Sequence, residues 1–263
     1  VQLFDIKNDI IINAQQVFYL KNEEKIFTVG KTLIKISDKY NIEGYDLILL
    51  KNKMILSSKK NATITDSELN KYKLEQFQYS IEKEILKGEN IIAITNNKEN
   101  KGDEFFFQTG FFNLKKNTFL AKDVVSKLHK DLFGNKKNDP RINAVSGYGN
   151  KFNTYFEKAV FTSCKKTDKC PPWKISSKKI HHDKINKQVN YKNAWLEIYD
   201  IPIVYFPKFF HPDPTVKRKS GFLRPELGSS NNLGSSVYAP YFLVISDNKD
   251  LTIKPRLFDN KKF

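Results

Sequence analysis

The sequence predicts an all-β chain, on three observations. Helical periodicity is nearly absent along the 263 residues, while apolar and polar residues alternate again and again. β-branched and aromatic residues fill the alternating runs, and Asn, Lys, Asp, Ser and Gly separate them. A segment that changes phase in its middle occurs twice. The runs, in order, are "TLIKI" (32–36), "YDLILL" (45–50), "QFQYSI" (76–81), "NIIAIT" (90–95), "EFFFQTGFFNL" (104–114), "WLEIYDIPIVYF" (195–206) and "LTIKPRL" (251–257).

The repeated segment is "YNIEGYDLIL", from Tyr40, and "YKLEQFQYSI", from Tyr72, an offset of 32. Tyr40 matches Tyr72, Ile42 matches Leu74, Tyr45 matches Phe77 and Leu49 matches Ile81. In each copy the apolar positions shift register midway. A period-2 strand cannot do that without a bulge or corner, and a shared corner at a fixed offset is the mark of stacked β-repeats. "NATIT" (61–65) and "NIIAIT" then close each unit.

Further along, the Asn-, Asp-, Gly- and Lys-rich stretch 130–153 reads as a loop or break. "CPPWKI" (170–175) leads into a new strand. Proline punctuates the aromatic region at Pro202, Pro207, Pro212 and Pro214, which suits an edge or transition. Beyond Gly221 the strands become two-faced. Leu251, Ile253, Pro255 and Leu257 oppose Thr252, Lys254 and Arg256. That pattern suits a membrane β-barrel wall or an antiparallel sheet with one wet face.

Composition bounds the function. Hydrophobic residues make up 40% and aromatic residues 13%, enough for a core. The net charge of +16 points to an anionic partner or to a compositional bias towards lysine, since only four of the 45 basic residues are arginine. Cys164 and Cys170 are the two cysteines, and they read as a disulfide of an oxidising compartment or as two reduced thiols; the spacing is not that of a zinc site. "HHD" (181–183) with His211 reads as a turn between strands rather than a metal site. No cofactor, metal site or catalytic motif is expected. The start at Val1 suggests a trimmed piece.

The segments "PPWKI" and "IPIVYFPKFFHPDPTVKRKSGFLRPELGSSNNLGSSVYAPYFLVISDNKDLTIKPRL" resemble the LptD (OstA) family of lipopolysaccharide-assembly outer-membrane proteins, and the spacing P-x5-R-K-S-G-F-L-x-P carries most of the likeness. "AQQVFYLKNEEKIFTVGKTLIKI" (14–36) is similar to the opening of that family's repeat block. The resemblance implies a periplasmic β-jelly-roll of OstA-type repeats over 1–210, a Pro-rich basic elbow over 211–220 and the first, incomplete strands of an outer-membrane β-barrel over 221–263. It implies transport of lipopolysaccharide to the outer leaflet of a Gram-negative outer membrane, with no enzyme activity and no nucleic acid partner. The candidate groove lining is Ile42, Tyr45, Leu47, Leu74, Phe77, Tyr79, Phe105, Phe107, Phe112 and Leu114. Pro225 and Pro240 fall where the family loosens its barrel seam as a lateral gate. Lys217, Arg218 and Lys219 would meet lipid phosphates at the membrane edge.

The likeness also implies partners. An LptA-like bridge protein would add strands at the N-terminal edge, near Phe4 to Phe18, and an LptE-like lipoprotein would plug the rest of the barrel. Cys164 lies where the family places a cysteine; it would bond to Cys170, or both would reach cysteines beyond Phe263. Two rival readings are a β-solenoid polysaccharide-processing enzyme, which would need carboxylates clustered on one face, and a basic nucleic-acid-binding β domain. The second would need aromatics interleaved with lysine on a wet face, whereas here they fall on apolar faces.

Overall fold

The computed structural model describes residues 1–95, 104–127, 139–164, 172–213, 216, 218–223, 226–230 and 234–258. Strands dominate. One 17-stranded sheet holds β1 (Gln2–Asp5), β2 (Ile10–Leu20), β3 (Lys25–Ile36), β4 (Tyr40–Tyr45), β5 (Ile48–Leu50), β6 (Ile55–Ser58), β7 (Ala62–Asp66), β8 (Lys71–Leu74) and β9 (Gln76–Ser80). It continues through β10 (Ile85–Ile94), β11 (Glu104–Asn113), β12 (Thr118–Lys127), β13 (Arg141–Asn150), β14 (Asn153–Thr162), β15 (Trp173–Asp183), β16 (Gln188–Ile198) and β17 (Ile201–Pro212).

The sheet is an antiparallel meander of folded rungs. β4 and β5 both pair with β3, so together they make one rung with a break at its middle; β6 with β7, and β8 with β9, repeat the arrangement. In later rungs the break is a single skipped pair. Glu89 faces Thr109 and Ile91 faces Phe107, which leaves Asn90 and Gln108 at a corner. Asp123, Lys158 and Asn193 take the same place further on. Asp46, Asn90, Asp123, Lys158 and Asn193 have φ between 48° and 52°, and Gly30 has φ 80°. Asn, Asp and Gly accept that left-handed turn at low cost, and it flips which residues face inward. In β14, Thr154 and Phe156 are buried before the corner, and Ala159 and Phe161 after it.

The corner folds each rung into a V whose two arms enclose the core. One interior row runs Ile34, Ile42, Ile64. Another runs Leu49, Leu56, Tyr79, Leu86. At the apex the arms come close. Gly88, Gly110, Ala121 and Gly147 face one another across β10 to β13, and a Cβ on Gly110 would lie 2.6 Å from Phe112 Cε2 and 2.8 Å from Ile91 Cδ1. In β14 to β16 the same row carries Phe156, Ile180 and Tyr191.

The structure corrects the repeat offset. Ile42 faces Ile64, which faces Tyr72, and Leu49 faces Leu56, which faces Tyr79, so stacked positions lie 30 residues apart, not 32. Leu47, rather than Tyr45, is therefore the counterpart of Phe77. Tyr45 sits next to the corner residue Asp46 and is 48% exposed on the outer face.

After β17 come two three-stranded sheets, formed by β18 (Gly221–Phe222), β21 (Tyr241–Ser246) and β22 (Lys249–Ile253), and by β19 (Glu226–Ser230), β20 (Gly234–Tyr238) and β23 (Arg256–Phe258). Each long strand contributes to both sheets. Leu223 N donates to Pro240 O and Ala239 N to Pro255 O, so the division falls at one level across three neighbouring strands.

Candidate functional site

The open side of the V is the candidate site, because there the turn ends of the two arms meet. Over the first rungs the mouth is clasped. Lys51 reaches the buried Asp5 at 3.4 Å. Glu84 accepts hydrogen bonds from Tyr40 Oη at 2.9 Å and Lys39 Nζ at 2.9 Å. Burial pushes the Glu84 carboxyl up, but the bonds from Lys39 and Tyr40 outweigh it and hold the group below its ordinary value. Burial drives the Tyr40 and Tyr79 hydroxyls strongly upward, so both stay protonated.

Between β8 and β15 the mouth opens into a cleft of about 680 Å³. Its floor is aromatic. Phe107 packs against Phe105, Phe112 and Phe119 with ring centroids 5.5–6.0 Å apart, and Tyr72 meets Phe112 edge-on at 5.8 Å. The rim is polar, with Glu68, Asn70, Asn113, Asn117, Lys151 and Lys184. Among the described residues one weak tie crosses it, Lys151 Nζ to Glu68 Oε1 at 3.5 Å, with both side chains about three-fifths exposed. A cavity of this size with an apolar floor and a polar rim suits an amphiphile.

The expected lining residues divide across this geometry. Ile42, Leu47, Leu74, Phe77 and Tyr79 are buried in the closed part of the stack. Phe105, Phe107 and Phe112, which are buried as well, and the half-buried Leu114 line the open cleft. Tyr45 points away from both. The cleft also takes Tyr72 and Phe119, which sequence reasoning did not single out. Counting inward positions at the 30-residue offset finds Tyr72, and the phase of "TFLAKDVV" finds Phe119.

Of the basic elbow, Lys217 lies outside the described residues. Arg218 Nη2 bonds Asp250 at 2.6 Å and its other nitrogen donates to Asp247 O. Lys219 Nζ donates to Asn186 O at 2.7 Å and Gln188 Oε1 at 3.0 Å, tying the elbow to the turn before β16. Asp213 binds the buried His182. His211, inside the stack, bonds Tyr191 Oη at 2.8 Å; its burial holds the imidazole below its ordinary pKa and so uncharged at neutral pH. Among the described residues no group of His, Cys, Asp and Glu is arranged to hold a metal ion.

Pro225 lies outside the described residues; Pro240 sits in the break between the two small sheets, and Pro255 shares that level on the next strand. Cys170 also lies outside the described residues. Cys164 is held by Arg141 Nη1, which donates to its carbonyl at 2.6 Å, and by Thr162 Oγ1, which accepts from its amide at 3.2 Å. At the N-terminal end β1 covers only Ile10 to Asn13 of β2, so the half of β2 that carries the exposed Phe18 and Tyr19 has one paired side.

A stack of cornered β-rungs with an amphipathic cleft, leading into two-faced strand pairs, defines an all-β groove protein. Residues 189–263 match the family model described as LptD protein. The LPS-assembly protein LptD of Idiomarina loihiensis is 36% identical over 98 residues, 36% of this chain and 12% of that protein. That of Nitrosomonas europaea is 33% identical over 135 residues, 51% of this chain and 17% of its own length. The one from Francisella tularensis subsp. novicida is 34% identical over 89 residues, 34% of this chain and 10% of its own length. The chain is thus similar to LptD proteins over its C-terminal part, residues 189–263, and over the stretches shared with these relatives. The matched stretches span 10–17% of the length of these relatives.

Proposed function

We propose that this chain takes part in lipopolysaccharide assembly at the outer membrane, as the periplasmic stack and first barrel strands of a longer protein. The observation that carries the reading is the aromatic-floored cleft between β8 and β15, flanked by rungs whose mouth is clasped. Lipopolysaccharide joins several acyl chains to an anionic sugar head, so passage through water needs a surface that hides the chains and leaves the head outside. The half-buried Phe119 and Leu114, backed by the buried Phe105, Phe107 and Phe112, supply apolar area for the chains, at about 0.8 kcal/mol for each methylene removed from water. The lipid then moves along the stack to the small sheets, where the level of Pro240 and Pro255 forms the lateral exit: proline lacks the donor that a ladder needs. A periplasmic bridge protein adds strands at the uncovered half of β2, and a lipoprotein plugs the barrel that the longer chain completes. No residue is assigned a catalytic role.

The test is photocrosslinking in the intact protein in cells, with a photoreactive residue at Phe119 and a control at Leu33, which is 48% exposed on the outer face. A lipopolysaccharide adduct at Phe119 and none at Leu33 is the expected result. Equal adducts, or none at Phe119 with the protein correctly assembled, would place the transport route elsewhere.

A further inference from the structure

We propose that the rim of the central cleft is a headgroup site, in which Lys151 and Lys184 bind a phosphate of the lipid and Glu68 holds the place until the lipid arrives. The inference rests on the reading of the cleft as an acyl-chain groove.

The two lysines stand on neighbouring turns. Lys151 lies between β13 and β14, Lys184 lies between β15 and β16, and Lys184 N donates to Phe152 O at 2.9 Å, which joins the turns. Each turn is locked from within. Asn150 Oδ1 accepts from the amides of Phe152 and Asn153, both at 2.9 Å. Asp183 accepts from the amide of Asn186 at 2.9 Å and from its side chain at 2.7 Å. These bonds hold the Asp183 carboxyl below its ordinary pKa, so the lock stays charged at neutral pH. Two cations on rigid supports thus stand beside the apolar floor, which is the charge pattern an anionic amphiphile complements.

Glu68 completes the argument. Its tie to Lys151 is long and solvent-exposed, the class of ion pair that contributes little. A phosphate carries more charge than a carboxylate and offers three acceptor oxygens, so it displaces Glu68 from Lys151. Without lipid, the pair spans the mouth and partly covers the floor. With lipid, Glu68 swings out to water and the head takes its position.

The experiment uses the intact protein with the photoreactive residue at Phe119. It compares bisphosphorylated lipid A with dephosphorylated lipid A of the same acyl pattern. We expect half-maximal adduct at about tenfold lower concentration with the phosphorylated lipid, the factor that 1.4 kcal/mol gives. In Lys151→Gln/Lys184→Gln the advantage falls to about twofold or less, with the dephosphorylated lipid unaffected. A charge-matched control, Lys35→Gln/Lys122→Gln on exposed positions, keeps the full advantage.

If the double variant at the rim kept its preference, or the original protein showed none, the headgroup site would be refuted while the acyl groove stood. Absence of adducts with both lipids would remove the groove reading and this inference with it. If inorganic phosphate abolished the preference at the lipid's own concentration, the rim would be a free-phosphate site and the headgroup assignment would fall.

Discussion

The rungs from β3 to β9 and those from β11 to β15 share one plan, a strand folded at a left-handed corner, yet they treat the mouth of the V differently. The first group fills the V mostly with aliphatic side chains, joined by Tyr40, Phe77 and Tyr79, and closes it with Glu84, whose side chain is only 15% exposed and which accepts from Tyr40 and Lys39. The second narrows the apex with glycine and alanine in β11 to β13, places phenylalanines along the arms, and among the described residues one exposed ion pair spans its mouth. One backbone solution thus serves as a sealed core or an open groove according to where side-chain volume sits along each arm.

The largest expected effect comes from emptying the sealed part. Leu56→Ala removes a side chain that is 1% exposed, and its cost of about 2–5 kcal/mol should appear as lost hydrogen-exchange protection across β5, β6 and β9. Phe119→Ala, on the half-buried floor, should cost less than half of that, because one side of the ring already faces open space, and should instead lower the lipid adduct at neighbouring floor positions. Equal protection losses for the two variants would mean that the cleft is packed like the core.

The apex gives the next effect. Gly110→Val should destabilise the central rungs by about 1–3 kcal/mol, since the new side chain meets Phe112 and Ile91 inside normal contact distance and must push the arms apart. Gly221→Val, with no atom within 4 Å of its added Cβ, is the reference and should change stability by about 0.5 kcal/mol or less. A tolerated Gly110→Val would show that the V is not pinched where the glycine row puts the pinch.

How much of this was legible in the sequence depends on the scale of the rule involved. Alternation and β-branched content declare strands, and the mid-strand phase shift declares a corner, because both follow from the two-residue period of the backbone. The sequence likeness and the stacking offset differ because "YNIEGY" and "YKLEQF" look alike at 32 residues, whereas turn lengths set the stacking at 30. The left-handed corner residues were visible as Asp46, Asn90, Asp123 and Asn193, but Asx residues are so common here that only the registers single them out. The mouth could not be read at all. Glu84 with Tyr40, and Glu68 with Lys151, are 44 and 83 residues apart in sequence and meet only when both arms are folded.

A smaller effect tests the sealed clasp. Tyr40→Phe removes one donor from the Glu84 carboxylate and should cost about 1–2 kcal/mol. Acid should mimic it. Because the folded pKa of Glu84 is depressed below the ordinary 4.5, its contribution is fully present above that value and is lost as pH falls through the folded pKa. Hydrogen-exchange protection of β4 and β10 should therefore hold from pH 7 to about 5 and decline below about 4.5. Glu84→Gln should start lower and lose less over the same acid range. A parallel decline in both proteins would assign the acid sensitivity to other carboxylates, of which Asp5 is the nearest in kind.

The smallest effect is expected at the open mouth, and it decides whether the contrast between the two groups of rungs is one of kind. Glu68→Gln breaks an ion pair in which both groups are solvated, so local stability should change by no more than about 0.5 kcal/mol. Lys151 is then left without its placeholder, and retention of a phosphorylated lipid at the cleft should rise by about two- to threefold, within the range of a weak surface pair. The two readouts separate the roles of the residue. A loss of more than about 1 kcal/mol with unchanged lipid retention would make Glu68 a structural clasp like Glu84, and both sections of the mouth would then be sealed by the same kind of contact. A gain in retention at near-constant stability would leave the sealed and open sections distinct, with the difference residing in the solvent exposure of the acid that spans each.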